Sequence, residues 1–216
     1  MANFCTMNPL NNSGCTLSEG NLHVDTNLAS GFVQSTFEIP QTGKWYFECI
    51  VIDNSNAIFG IASDWSNYKV AYNFAGQKEI DSAGATSYGA SYAAGDVIAM
   101  AINADDNEVT FYKNGASQGA ISYTMNSGQQ YFVDLRDGSG STRFICRMNF
   151  GQFPWRYDPP AGFIALSTEN LAEPPISNFA AEKPEDYFDT VLYTGNGTSQ
   201  SISLGFQPDL LWIKDR

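Results

Sequence analysis

Apolar residues along the chain alternate with polar ones or form short blocks rich in β-branched and aromatic side chains. A period of two is typical of β-strands, because successive side chains of a strand point to opposite faces of a sheet. No stretch shows a sustained helical period with capping residues, so we predict no helix. Gly- and Asn-rich turns separate the apolar runs, which favours a β-sandwich or barrel. The predicted strands span residues 32–39, 44–52, 57–62, 97–102, 108–113, 130–135 and 143–150.

The run KWYFECIVI at residues 44–52 is the strongest predicted strand. In strict alternation Trp45 and Phe47 share one face, while Tyr46 and Glu48 share the other. Glu48 therefore interrupts an apolar strand, and a half-buried carboxylate needs hydrogen-bonding partners. We expect Glu48 to accept hydrogen bonds from loop amides rather than to take part in catalysis.

The composition changes after Phe153, because six of the nine prolines lie between residues 154 and 184. Proline fixes φ and removes a backbone donor, which favours an extended linker or surface segment. Further on, the runs 187–193 and 199–204 flank a Gly-Asn-Gly turn and predict a β-hairpin. A hairpin cannot bury a core of its own, so it begins a second β-rich domain or docks onto another surface. We therefore divide the chain into a sandwich at 1–153, a Pro-rich linker at 154–186 and a C-terminal extension at 187–216.

The chain carries 11 basic and 23 acidic residues, a formal charge of -12. An acidic surface repels nucleic-acid phosphates and anionic membranes, so neither is an expected partner. The N-terminus shows no secretory signal, and no apolar run approaches the length of a membrane span. We expect a soluble protein that is made in a cytoplasm and does not insert into a membrane.

The four cysteines show no CxxC spacing, which disfavours a zinc site. No loop follows the D-x-[DN]-x-[DN]-G pattern of calcium sites, so neither a metal nor another cofactor is expected. Cys49 and Cys146 lie in apolar strand patterns and are predicted to be small buried hydrophobes. Cys5 and Cys15 flank a short loop, and both a bridge and two free thiols remain open.

The segment Gly115–Gly119 matches G-x-S-x-G, the nucleophile elbow of hydrolases. That chemistry needs a strand-turn-helix context and a histidine later in the chain. Here Asn114 and Gly115 form a predicted hairpin turn, and the single histidine, His23, lies far upstream. We predict no catalytic residue and expect Ser117 to be dispensable. A pair of carboxylates, as in glycosidases, is the remaining enzyme alternative.

Several loops combine Tyr and Trp with Ser, Gly and Asn, a composition typical of binding loops. The alternative is that these rings only cover the edge of the sandwich. Asp137 and Arg143 flank a further polar loop that begins DGSGS. The candidate ligand-binding residues are Trp65, Tyr68, Tyr88, Tyr92, Asp137 and Arg143. In the apolar C-terminal extension the candidate interface residues are Tyr187, Tyr193, Phe206 and Trp212.

Five short motifs resemble, in order, those of SPRY domains: GKWYFE at 43–48, GIA at 60–62, GDVI at 95–98, VTFYKNG at 109–115 and NFGQF at 149–153. The resemblance implies an antiparallel β-sandwich with a concanavalin-like jelly roll. It also implies a binding scaffold without catalysis, whose specificity depends on loops at one sheet edge. The sequence departs from the family by lacking the proline of the penultimate strand.

Three segments most resemble the SPRY-containing structural proteins of tailed bacteriophages: KWYFE at 44–48, GIASDWSN at 60–67 and the C-terminal tail. This resemblance implies a non-enzymatic virion component: a tail fibre, an appendage or a decoration protein, made in the host cytoplasm. Its expected partners are neighbouring virion proteins and a host-surface glycan or protein, and it is expected to form a homo-oligomer, with a trimer as first choice. The alternatives are an intracellular SPRY adaptor that binds a peptide and a carbohydrate-binding module.

Overall fold

A computed structural model of the chain describes residues 3–26, 31–53, 57–63, 68–126, 128–138, 143–171 and 186–214. The chain divides into two compact units, Met1–Leu171 and Ala172–Arg216. The described part of the first unit contains fifteen strands. They are β1 Met7–Ser13, β2 Thr16–Ser18, β3 His23–Asp25, β4 Phe32–Glu38, β5 Lys44–Asp53, β6 Ala57–Ala62, β7 Tyr68–Asn73, β8 Gln77–Ile80, β9 Thr86–Ser87, β10 Val97–Asn103, β11 Glu108–Lys113, β12 Ala116–Ser122, β13 Phe132–Asp137, β14 Ile145–Asn149 and β15 Ile164–Ala165.

Two sheets form a sandwich, as the sequence predicts. The seven-stranded sheet has the order β1-β4-β13-β6-β7-β8-β9. The eight-stranded sheet has the order β12-β11-β10-β5-β14-β3-β2, and β15 pairs with β5. The strands are antiparallel except for the short β15, which runs parallel to β5. The described residues include no α-helix, so the all-β assignment is confirmed.

Aromatic rings from the two sheets meet in the core. Phe47 and Phe111 come from the eight-stranded sheet and Phe59 from the seven-stranded sheet. The centroid of the Phe59 ring lies 6.1 Å from that of Phe47 and 6.3 Å from that of Phe111, at edge-to-face angles. Such interdigitation between inner faces is what holds a sandwich together. The predicted core residues are all buried: Trp45, Phe47, Ile61, Ile98, Phe111 and Phe150.

The segment 154–165, here called the strap, covers part of the outer face of the eight-stranded sheet. The backbone amides of Arg156 and Tyr157 donate to the Glu48 carboxylate at 2.9 and 3.0 Å. The Trp155 ring packs edge-to-face on Tyr46, with centroids 5.0 Å apart. Tyr46 and Glu48 are therefore buried although they point away from the core. The prediction that Glu48 satisfies loop amides is confirmed.

The first compact unit extends beyond Phe153 to Leu171. The part of the Pro-rich segment up to Leu171 therefore belongs to the same unit as the sandwich. Leu166 is fully buried, and its carbonyl accepts a hydrogen bond from the Cys5 amide at 3.0 Å. The prolines of this segment are compatible with its position on the sandwich, because the strap lies across the sheet and needs few backbone hydrogen bonds to it.

The hairpin predicted at 187–193 and 199–204 is not formed. No strand occurs between residues 186 and 214, although this segment is apolar. Leu192 remains 80% exposed. An isolated two-stranded hairpin buries too little apolar surface to be stable by itself, which accounts for the difference.

All four cysteines are free thiols. Cys49 and Cys146 are buried in the core, as predicted. Cys5 is buried and Cys15 half-buried, and burial raises the pKa of the Cys15 thiol to about 12. That thiol is therefore protonated at neutral pH. In the described part of the chain, no helix is long and apolar enough to cross a membrane.

Replacing Phe111 by alanine is expected to lower the free energy of unfolding by about 3–5 kcal/mol, because the ring is fully buried against aromatic neighbours. The matched control is Phe153→Ala, since that ring is 52% exposed and its removal is expected to cost less than about 1 kcal/mol. Urea unfolding followed by fluorescence measures both values. Equal losses in the two variants would contradict the assignment of Phe111 to the core.

Candidate binding site

A polar recess of about 290 Å³ lies at one end of the seven-stranded sheet. Its position follows from strand pairing, because Ala62 at the end of β6 pairs with both Tyr68 of β7 and Phe132 of β13. The segment before β13 and the turn after β8 therefore meet at this end. We call it the Tyr68 recess. Its lining residues are Ser63, Tyr68, Lys69, Asp81, Asn126, Gln129 and Tyr131.

Lys69 contributes a buried positive charge to the wall of the recess. The residue is 5% exposed, and its ammonium lies 2.6 Å from a carboxylate oxygen of Asp81. The Asp81 side chain is 60% exposed, so one end of the pair faces solvent. Removing Asp81 would leave a buried charge without its counter-ion, which is strongly unfavourable. The pair therefore fixes the shape of this wall.

The turn after β8 holds two non-glycine residues in the left-handed region. Asp81 and Ser82 have φ of 51° and 54°, and the Ala83 amide donates to the Ile80 carbonyl at 3.0 Å. Such residues cost on the order of 1 kcal/mol or more each. Their side chains compensate, because Asp81 holds Lys69 while the Ser82 hydroxyl accepts from the Tyr68 amide at 3.0 Å. Strain of this kind clusters at ligand sites, which marks the recess as a candidate.

Tyr68, a predicted ligand-binding residue, forms part of this recess. Its ring lies over the guanidinium of Arg136, 4.2 Å from ring centroid to carbon. Burial, followed by the charge of Asp134, raises the pKa of Tyr68. The hydroxyl is therefore neutral at physiological pH and can both donate and accept a hydrogen bond.

A buried polar network fixes the cation beneath the Tyr68 ring. Arg136 binds the Asp134 carboxylate through two nitrogens, at 2.5 and 3.1 Å. The Gln34 amide also donates to Asp134, at 3.1 Å, and accepts from the Asn11 amide at 2.6 Å. Buried charges are tolerated when they are paired and hydrogen-bonded in this way. The network therefore holds Tyr68 in one orientation.

Three other predicted residues lie at the opposite end of β6 from Tyr68. Asp137 pairs with Ala57 in the sheet, and the Tyr92 hydroxyl donates to the Ala57 carbonyl at 3.0 Å. Arg143 forms an ion pair with Asp25, on the strand that flanks β14. The structure thus does not bring Tyr68 together with these three residues. Trp65 lies outside the described residues.

Tyr88 and Tyr92 pack against the sandwich. Tyr92 is 4% exposed, and its hydroxyl donates to two backbone carbonyls. Tyr88 is half-buried, with its ring 6.2 Å from that of Phe111 and its hydroxyl donating to the Gly119 carbonyl. Burial raises the pKa of Tyr88 to about 12. This arrangement favours the covering role for both rings, and ligand contact remains a prediction for them.

The candidate interface residues lie in the second unit. Tyr187, Tyr193 and Trp212 are 57%, 50% and 87% exposed, while Phe206 is half-buried. Their apolar surface is thus available within that unit, and their role in an interface remains a prediction.

Sequence reasoning missed most of the recess. Lys69 interrupts the apolar run YKVAY just as Glu48 interrupts KWYFE, so the same signal could have found it. Asp81, Asn126 and Gln129 carry no such signal, because Asp, Asn and Gln are common in any turn.

The elbow-like motif has no catalytic geometry. Asn114 and Gly115 form a turn with positive φ, and Ser117 follows on β12, not before a helix. The Ser117 hydroxyl accepts from the Gly119 amide at 3.2 Å. The ring of His23 lies 3.3 Å from the Ser18 hydroxyl. Among the residues that the structure describes, no group of three His, Cys, Asp or Glu could hold a metal ion.

Comparison with solved structures gives the fold a name. The SPRY domain of human HERC1 matches 68% of this chain and 99% of its own length, with a TM-score of 0.58 and 13% sequence identity. The sandwich therefore has the fold of SPRY domains, as the motifs imply.

Several curated proteins match in sequence, among them a ubiquitin ligase and an RNA helicase. The E3 ubiquitin-protein ligase RKP of Arabidopsis thaliana is 37% identical over 86 residues, which cover 38% of this chain and 6% of RKP. The ATP-dependent RNA helicase Ddx1 of Drosophila melanogaster is 26% identical over 164 residues, which cover 70% of this chain and 22% of Ddx1. The chain thus spans less than a quarter of either relative. Neither relative is a bacteriophage protein.

The C-terminal unit matches a different family. The model of a domain of unknown function (DUF7483) matches residues 183–216. This range falls within the second compact unit, Ala172–Arg216.

Ser117 is expected to be inert. A fluorophosphonate probe should not label the chain, because the single histidine, His23, contacts Ser18 rather than Ser117 and so does not activate it. The substitution Ser117→Ala should change the free energy of unfolding by no more than about 0.5 kcal/mol, since the residue is exposed. Gel fluorescence and mass spectrometry measure labelling, with a known serine hydrolase as positive control. Labelling that disappears in Ser117→Ala would contradict the non-enzymatic assignment.

Proposed function

We propose that the chain is a non-enzymatic binding module whose sandwich contacts its partner at the Tyr68 recess. The observation that carries this proposal is the combination, in one recess, of a buried Lys69 ammonium, whose counter-ion Asp81 is exposed to solvent, and a turn with two non-glycine residues at positive φ. Burying the Lys69 ammonium costs desolvation free energy, which the ion pair with Asp81 offsets, while the turn keeps the Asp81 side chain exposed at the wall of the recess. The same features are expected where a rigid polar wall meets a ligand.

The SPRY fold supports a binding role and does not identify the partner, because fold alone does not determine function. RKP and Ddx1 are named for a ligase and a helicase. The matched regions make up 6% and 22% of those proteins, so neither activity is transferred to this chain.

We place the module in the virion of a tailed bacteriophage, as part of a tail fibre, appendage or decoration. The support is the likeness of KWYFE, GIASDWSN and the C-terminal tail to SPRY-containing phage structural proteins. The partner is then a neighbouring virion protein or a ligand on the host surface.

Exposed apolar side chains in the second unit support assembly. Leu210 and Trp212 are 86% and 87% exposed. Burial of one large apolar side chain stabilises a protein by roughly 1.5–3 kcal/mol, and this stabilisation is absent while the side chain is in water. A contiguous group of such residues is typical of an interaction surface. A homo-oligomer, with a trimer as first choice, would bury them.

The second candidate function is an intracellular SPRY adaptor that binds a peptide. The 37% identity to part of RKP favours it, because that relative is a plant ubiquitin ligase rather than a virion protein. The two candidates differ in where the protein is found, and this difference can be measured.

An antibody raised against the chain should detect it in density-purified virus particles from the source strain. Cross-linking of intact particles followed by mass spectrometry should join it to another particle protein, because a binding module has a partner there. The matched control is the particle-free lysate, blotted in parallel. Detection in the lysate with none in the particles would contradict the virion assignment and favour the adaptor.

A further inference from the structure

The chemistry of the Tyr68 recess narrows the class of ligand. Its lining side chains are polar throughout, and its two formal charges, Lys69 and Asp81, are paired with each other at 2.6 Å. The recess therefore offers no net charge for an anion or a cation to neutralise. The chain as a whole carries a charge of -12, which further disfavours an anionic ligand.

The side-chain amides of Asn126 and Gln129, at the rim of the recess, are exposed and can hydrogen-bond a ligand. The backbone amide of Gln129 donates to the backbone carbonyl of Asn126 at 3.1 Å and so closes a turn, in which Gly128 has φ 78°. Asn126 and Gln129 are both exposed, and their side-chain amides make no hydrogen bond to another described residue. Each amide carries both a donor and an acceptor. A ligand with adjacent hydroxyl groups matches this pattern, because each hydroxyl also donates and accepts.

Two tyrosines, Tyr68 and Tyr131, also line the recess. Tyr131 is 3% exposed, and its hydroxyl oxygen accepts a hydrogen bond from the backbone amide of Asn126 at 3.2 Å. Its proton is then free to be donated. Tyr68 is also nearly buried and, with its raised pKa, keeps its phenolic proton. Phenolic hydroxyl groups of this kind can hydrogen-bond the oxygens of a ligand.

Size and desolvation decide between a sugar and an apolar peptide side chain. The volume of about 290 Å³ is just below the range for small-molecule sites, roughly 300–1,000 Å³, which suits a single ring rather than a larger ligand. An apolar side chain would strip water from Asp81 and the two amides without replacing its hydrogen bonds, which is unfavourable. The hydroxyl groups of a sugar ring replace the hydrogen bonds that this water made.

We propose that the Tyr68 recess binds a neutral monosaccharide unit of a glycan. This inference rests on the proposed function as a binding module and gives that module a ligand class. Asn126 and Gln129 hydrogen-bond the sugar hydroxyls at the rim, and the Lys69–Asp81 pair forms a rigid wall.

The test is titration of the full 216-residue chain with D-glucose, D-galactose, D-mannose and N-acetyl-D-glucosamine, followed by saturation-transfer NMR and calorimetry. At least one sugar should bind saturably. Asn126→Ala and Gln129→Ala should each weaken that binding about fivefold, which corresponds to the loss of one hydrogen bond. The matched control is Gln207→Ala, an exposed glutamine of the second unit, which should leave the affinity unchanged.

Both rim variants alter exposed turn side chains, and circular dichroism and thermal unfolding should match the wild type. Binding of none of the four sugars at millimolar concentration would overturn the inference. Sugar binding that neither rim variant weakens would also overturn it, as would rim variants that weaken only a peptide or protein partner. These results leave the virion assignment intact, because detection of the chain in particles does not depend on sugar binding.

Discussion

The arrangement of the sandwich depends on one buried carboxylate. Glu48 points out of the core on β5, where a strand in water would show a polar side chain, yet it is fully buried. It is tolerated because the amides of Arg156 and Tyr157 and the Tyr46 hydroxyl all donate to it. Hydrogen bonds to a charged acceptor are stronger than those between neutral groups. They hold the strap against the eight-stranded sheet, so the part of its outer face around Tyr46 and Glu48 is covered.

The candidate binding site lies on the other sheet, the seven-stranded one. Its outer face carries the Asp134–Arg136 pair, which positions the Tyr68 ring, and its end carries the Tyr68 recess. Burial, ion pairing and a strained turn converge there on Lys69 and Asp81. The ion pair and the turn hold this wall of the recess in one shape, which reduces the entropy that binding must overcome. The fold supplies the scaffold, while the turns supply the chemistry.

Sequence patterns were sufficient for the core and insufficient for the recess. Alternation places Trp45 and Phe47 inside because burial acts on every second residue of a strand. The recess combines turns that are far apart in sequence, and nothing local to Asp81 or Gln129 reveals that they meet. The hairpin at 187–204 was predicted from two runs that flank a Gly-Asn-Gly turn, but these runs form no strand pair without a surface to bury.

Amide hydrogen exchange at Arg156 and Tyr157 tests the role of Glu48 most directly. Both amides should exchange slowly in the wild type, and about 10- to 100-fold faster in Glu48→Gln, because each loses a charged acceptor. The Val133 amide, in the other sheet, should be unaffected. The control Glu108→Gln, also on the eight-stranded sheet, should leave the strap amides protected. Fast exchange at both strap amides in the wild type, or equal protection in Glu48→Gln, would contradict the account.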